Sequence, residues 1–122
     1  MNSPKKLVLL GATGSIGENT LKVIRKHSDK IELLGISAHQ NIEKLFDIAQ
    51  EFQVPHASLV NPPTGKIDPP PNTRFHTEKD SLCELAALGE ADIVVVAVVG
   101  AAGLLPTLSA LQAGKDVVLA NK

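Results

Sequence analysis

The stretch LVLLGATGSIGENTL sets Gly11, Gly14 and Gly17 between an apolar run and a segment of helical period. The spacing is GxxGxxG rather than GxGxxG, and each glycine has its own reason to lack a side chain. Gly11 permits a tight turn out of the strand. Gly14 lets the backbone approach a bound group, and Gly17 lets the helix pack closely on the sheet. The N–H groups of Thr13, Gly14, Ser15 and Ile16 then fall at a helix start, where amides lack intrahelical partners and the dipole is positive. Thr13 and Ser15 add hydroxyl donors. The chemistry this arrangement favours is the binding of a phosphate or pyrophosphate. A glycine-rich turn without a ligand is the alternative.

A second informative stretch is ISAHQN, residues 36–41, which follows the apolar run IELLG. In a nucleotide-binding fold this strand end meets the adenine ribose. NAD calls for an Asp or Glu there, about 20 residues past the glycine loop. None stands between Gly35 and Asn41, and neither does an Arg or Lys to greet a ribose 2′-phosphate. Ser37, His39, Gln40 and Asn41 offer uncharged donors, no carboxylate repels a phosphate, and a helix N-terminus begins at Asn41. These features favour NADPH over NAD; a plain polar turn before a capped helix is the other reading.

The elements that must position these residues alternate between short aliphatic runs and helical segments. Strands are expected at 6–10, 31–37, 56–60, 91–99 and 116–119, with a short extra one at 74–77. Helices are expected at 15–26, from 42 to 52, at 79–88 and at 104–113. In the first, Ile16, Thr20, Leu21, Val23 and Ile24 mark one face; in the second, Ile42, Leu45, Phe46, Ala49 and Phe52 do; in the last, Leu104, Leu108 and Leu111 share a side. Asn41 suits a helix N-cap and Gly114 a C-terminal stop. The stretch NPPTGKIDPPPN can be neither helix nor central strand, because proline lacks the backbone donor and restricts its predecessor. Such an order implies right-handed crossovers and a doubly wound parallel α/β sheet, a Rossmann-like domain with strand order 3-2-1-4-5.

Composition agrees. The chain of 122 residues is expected to be one domain, with 43% apolar and only 2% aromatic residues, so Val, Leu, Ile and Ala must build its core. A formal charge of −1 gives no footprint for nucleic acid or an anionic membrane. The N-terminal apolar run is too short for a signal peptide or a membrane span, and a cytoplasmic location is expected. The single Cys83 excludes an internal disulfide and, within DSLCELAAL, is expected to be a buried, inert thiol. His27, His56 and His76 fall on a helix end, a strand start and a loop, with no metal-ligand spacing between them.

GATGSIGENTLKVIR and VVGAAGLLPTLSALQAGKDVVLANK together resemble the N-terminal region of the 1-deoxy-D-xylulose 5-phosphate reductoisomerase family. The resemblance runs from near Leu7 to the end, and its second block is the more specific. It implies an NADPH-dependent oxidoreductase of non-mevalonate isoprenoid synthesis, converting 1-deoxy-D-xylulose 5-phosphate to 2-C-methyl-D-erythritol 4-phosphate. It also implies a divalent metal, Mg²⁺ or Mn²⁺, whose ligands lie in family regions beyond this chain, and a homodimer for the full-length enzyme. The chain is then expected to be an isolated cofactor-binding domain, 1–122, catalytically silent by itself. Carried over by position, the resemblance assigns Thr13, Gly14, Ser15 and Ile16 to the pyrophosphate. It gives His39, Gln40 and Asn41 to the ribose and its 2′-phosphate, and residues 97–100 to the path towards the nicotinamide. Asn121 falls at the nicotinamide end and Lys122 at the substrate. Where family members often carry Gly-Lys-Asn, this chain has His39, Gln40 and Asn41, so a lysine charge is gone. Two other readings stay open: a semialdehyde-type dehydrogenase domain, and a non-catalytic dinucleotide-binding module.

Overall fold

Aliphatic runs that lack the polar–apolar alternation of a half-exposed strand need cover on both faces, and the central strands here have it. The computed structural model describes residues 4–61, 65, 67–77, 80–98 and 100–120. Strands β1 (Lys5–Leu10), β2 (Ile31–Ala38), β3 (His56–Leu59), β4 (Arg74–His76), β5 (Ile93–Val96) and β6 (Asp116–Leu119) form a six-stranded sheet. Its order is β4-β3-β2-β1-β5-β6, and all neighbours are parallel. The short extra strand therefore joins as an edge, outside the expected order. Helices α1 (Ser15–Lys26), α2 (Ile42–Phe52), α3 (Ser81–Ala86) and α4 (Leu104–Gln112) complete the fold.

Successive side chains of a strand point to opposite faces, and β1 shows the consequence. Leu7 and Leu9 pack in one cluster with Leu21 and Ile24 of α1 and Leu45 and Ala49 of α2. Val8 and Leu10 pack in the other, with Leu85 and Ala86 of α3 and Ala110 of α4. The buried face of α1 is Gly17, Leu21 and Ile24, whereas Val23, expected on that face, is 51% exposed. The sequence pattern of that helix was broad, and only residues within a narrow angle of Leu21 reach the sheet.

α4 differs more from expectation. Pro106 and Ala110 are its buried residues, while Leu104, Leu108 and Leu111 are exposed. A 3₁₀ turn at Gly100–Gly103 leads into it, and a Cβ at Gly103 would lie 3.0 Å from Val98 Cγ2 and 3.1 Å from Val96 Cγ1. Small residues thus let the helix approach the sheet closely, and the leucines spaced i, i+4 and i+7 turn away. With Val118 and Leu119 of β6 also exposed, this side of the molecule carries an apolar surface. Cys83 on α3 is half-buried rather than fully enclosed. In the proline-rich stretch, the described residues form neither helix nor strand, and Gly114 takes φ +77° after α4 as the stop signal requires.

His76 belongs to β4 rather than to a loop. Its Nε2 lies 3.0 Å from Nδ1 of His56, across the β3–β4 ladder. Burial, and then the charge of His76, push the His56 pKa down from its ordinary value.

Two outcomes follow. A Cβ at Gly17 would sit 2.3 Å from the Gly11 carbonyl oxygen and 2.6 Å from that of Ala12. Gly17→Ala should therefore destabilise the fold by about 1–3 kcal/mol, read from chemical denaturation. For His56, the unfolded chain binds a proton at about pH 6.5 and the folded chain only at lower pH. Stability is then complete above that value and falls as the pH drops through it. The midpoint of thermal unfolding should decline between about pH 7 and 5, and less steeply in His56→Gln; equal slopes would remove the histidine pair as the cause.

Candidate functional site

The glycine turn is held from β2. Gly11 leaves β1 with φ +91°, a conformation that favours glycine, and a Cβ there would lie 2.9 Å from the Ala97 carbonyl oxygen. Gly11 N–H donates to the Ser37 carbonyl at 3.1 Å and to Ser37 Oγ at 3.0 Å, and Ala12 N–H donates to the same carbonyl at 2.7 Å. Ser37 is fully buried. It anchors the turn, and the expectation that it faces a ligand phosphate is corrected. Gly17 likewise packs on the carbonyls of the turn itself rather than on the sheet.

α1 starts at Ser15 behind Gly14, whose backbone is extended at φ −84° and ψ 178° and provides no side-chain cap. The first intrahelical bond runs from Glu18 N–H to the Gly14 carbonyl at 2.8 Å. The amides of Thr13, Gly14, Ser15 and Ile16 donate to no other group among the described residues. Orphan amides at a helix start make an anion-binding position. A Cβ at Gly14 would meet nothing closer than the Gly11 carbonyl oxygen at 4.0 Å, so the space beside it is open.

That space is a pocket of about 460 Å³ lined by Gly11, Thr13, Gly14, His39, Val60, Ala97, Val98 and Ala102. It lies past the carboxyl ends of β1, β2, β3 and β5. The strand order reverses about β1, and such a switch point is where open α/β sheets take ligands. The ladder continues beyond the formal strand ends. Val60 N–H donates to the Ala38 carbonyl at 3.0 Å and Asn61 N–H to that of His39 at 2.8 Å. These bonds bring His39 and Val60 side by side on the pocket wall.

Of the expected residues, Thr13, Gly14 and His39 line this pocket, as do Ala97 and Val98 from the 97–100 segment. Ser15 and Ile16 begin the adjoining helix. Gln40 and Asn41 follow His39 but are not part of the wall; Asn41 caps α2, its Oδ1 accepting from Lys44 N–H at 3.2 Å. Val99, Asn121 and Lys122 lie outside the described residues. Val60 and Ala102 were missed by sequence reasoning. Val60 ends the third strand and was open to the same topological rule; Ala102 had no signal of its own.

Lys44 was missed too. Its Nζ donates to the Thr13 carbonyl at 3.2 Å and pairs with the Glu18 carboxylate. The hydrogen bond from Lys44, and then its charge, hold the Glu18 carboxyl below the usual range. The signal was available: both residues occupy the first turns of helices that follow neighbouring parallel strands. Cys83 lies on α3 and is not among the pocket-lining residues. Among the described residues, no group of three or more His, Cys, Asp or Glu is placed to hold a metal ion, so nothing described here fits a divalent metal. No helix among them is long and apolar enough to cross a membrane.

The chain is similar to known proteins in sequence and in fold. Residues 7–122 match the family model of 1-deoxy-D-xylulose 5-phosphate reductoisomerase. The chain is 40% identical to the protein of that name from Aliivibrio salmonicida over 97% of its own length and 31% of the relative's. For the Geobacter metallireducens protein the identity is 42%, over 97% and 32%. The solved structure of the Zymomonas mobilis reductoisomerase in complex with NADPH superposes with a TM-score of 0.84 at 32% identity, covering 98% of this chain and 32% of that one. A reductoisomerase solved with NADPH, fosmidomycin and magnesium gives the same TM-score, covering 96% and 30%. The chain thus spans about a third of the length of the relatives it matches. With the family model matched over residues 7–122, the chain belongs to the 1-deoxy-D-xylulose 5-phosphate reductoisomerase family.

Proposed function

We propose that this chain binds NADPH and serves as the cofactor-binding part of a reductoisomerase acting on 1-deoxy-D-xylulose 5-phosphate. The observation that carries the reading is the row of unpartnered amides at residues 13–16 beside an open pocket. Backbone N–H groups left without a partner suit a diphosphate, because each gains a charge-assisted hydrogen bond on binding. Thr13, Gly14, Ser15 and Ile16 hold that group. His39, Gln40 and Asn41 receive the adenine ribose and its 2′-phosphate, with the start of α2 adding its positive dipole end. Asn121 contacts the nicotinamide end and Lys122 the substrate.

When bound, the cofactor supplies hydride; the protein supplies binding, orientation and exclusion of water. The aliphatic wall at Ala97 and Val98 is suited to exclude water around the reactive end, while Val60 stands beside His39 at the adenosine end. The metal of the complete enzyme, Mg²⁺ or Mn²⁺, is held by parts of the protein outside this chain. On this reading residues 1–122 belong to a cofactor-binding domain that binds without turning over by itself. The full-length protein is a cytoplasmic homodimer.

Gly14→Val tests the diphosphate position. The fold has room for the added side chain and the extended backbone tolerates it, but its methyls occupy the ligand's place. Affinity for NADPH and NADH should fall by at least ~10-fold, with the unfolding temperature little changed, as expected when charge-assisted hydrogen bonds are lost. Undiminished binding would remove the diphosphate from this turn. Gln40→Lys restores a cation beside the 2′-phosphate and should tighten NADPH relative to NADH by roughly 5-fold or more. Unchanged discrimination would place that phosphate elsewhere.

A further inference from the structure

The trans peptide between Thr13 and Gly14 has its carbonyl and amide on opposite edges of one plane. Lys44 Nζ holds the Thr13 carbonyl at 3.2 Å from the first turn of α2. The Gly14 N–H is therefore turned away from α2, and Thr13 and Gly14 both line the pocket. Lys44 is itself fixed at both ends. Its backbone N–H is capped by Asn41 Oδ1 at 3.2 Å, and its ammonium is paired with Glu18 in the first turn of α1.

We propose that Lys44 is a positioning residue of the phosphate turn: by gripping the Thr13 carbonyl it sets the peptide plane so that Gly14 N–H points at the diphosphate. This rests on the reading of the pocket as an NADPH site. A glycine-containing turn with no side chain to restrain it has several accessible orientations for this peptide, and freezing one costs conformational entropy at the moment of binding. The lysine removes that cost in advance. Glu18 keeps the ammonium in place and balances its charge, so the staple neither reaches into the pocket nor competes for the ligand's phosphates. The same side chain ties the pyrophosphate turn to the segment that leads into α2. Movement of the ribose-binding residues 39–41 is thereby coupled to the turn.

A staple on the turn acts on the diphosphate, which NADPH and NADH share. A lysine touching the 2′-phosphate would act on NADPH alone. Titration of both nucleotides against the wild-type chain and against Lys44→Met, Lys44→Gln and Lys44→Arg separates the cases. Lys44→Met should weaken both by about 5-fold and by the same factor, as loss of one polar anchor implies. Lys44→Gln should fall between it and the wild type. Lys44→Arg, which can grip the carbonyl and pair with Glu18, should recover most of the affinity. Unfolding temperatures measured in parallel should stay together, since the ion pair is exposed.

Equal affinity in Lys44→Met and wild type would overturn the proposal, and so would a loss confined to NADPH. A loss matched by a lowered unfolding temperature and not rescued by arginine would overturn it as well. Failure of the wild-type chain to bind either nucleotide would instead sink the NADPH reading on which the proposal stands.

Discussion

Three carbonyl oxygens crowd the turn between β1 and α1, and the rest of the site depends on that crowding. Those of Gly11 and Ala12 stand where a side chain at position 17 would have to go, and that of Ala97 closes on Gly11 from the neighbouring strand. Only a chain without side chains at 11 and 17 can bend so sharply and start a helix so soon. Ser37 then fastens the bend to β2 through its carbonyl and its hydroxyl. With the turn's own donors at Gly11 and Ala12 consumed by Ser37, the next amides in line have no partner among the described residues, and the space beside Gly14 is open. Among the described residues, no Asp, Glu, Lys or Arg lines the pocket.

The sheet supplies the floor for this turn by packing aliphatic residues on both of its faces. β1 runs through the centre, its side chains shared alternately between the α1–α2 layer and the α3–α4 layer. The central strand is thus immobilised from two sides. Its carboxyl end, where the turn begins, sits where the neighbours on either side diverge to opposite layers. Val60 and Ala97, at the ends of strands lying on opposite sides of β1, are drawn into one wall by this divergence. The His56–His76 contact closes the far edge, where β4 adds a strand beyond β3.

Electrostatics at the turn are arranged as a local balance. Lys44 and Glu18 neutralise each other at the starts of two helices whose dipoles already favour an anion. A bare lysine pointing into the pocket would bind phosphate more tightly but without fixing its direction. No acidic residue stands between 35 and 41, where a carboxylate would repel an anion. Family membership also displaces the semialdehyde-type reading.

Glycine spacing, aliphatic runs and proline positions act through the residue itself or its immediate neighbours. The parallel sheet, the turn at Gly11, the helix start at Ser15, the Asn41 cap and the Gly114 stop were accordingly legible in the sequence alone. Everything that depended on which face turned where was decided by tertiary packing. Val23 and the α4 leucines look as apolar as their buried neighbours, and only the close approach of Gly103 and Ala110 settles which side faces the sheet. Ser37 resembles a ligand donor until the register of β2 against β1 places it under the turn. Lys44 lies 31 positions from Thr13 in the chain, and His56 lies 20 from His76. Such partners meet because parallel neighbours in a sheet align their ends, a relation between strands that no local stretch of residues contains.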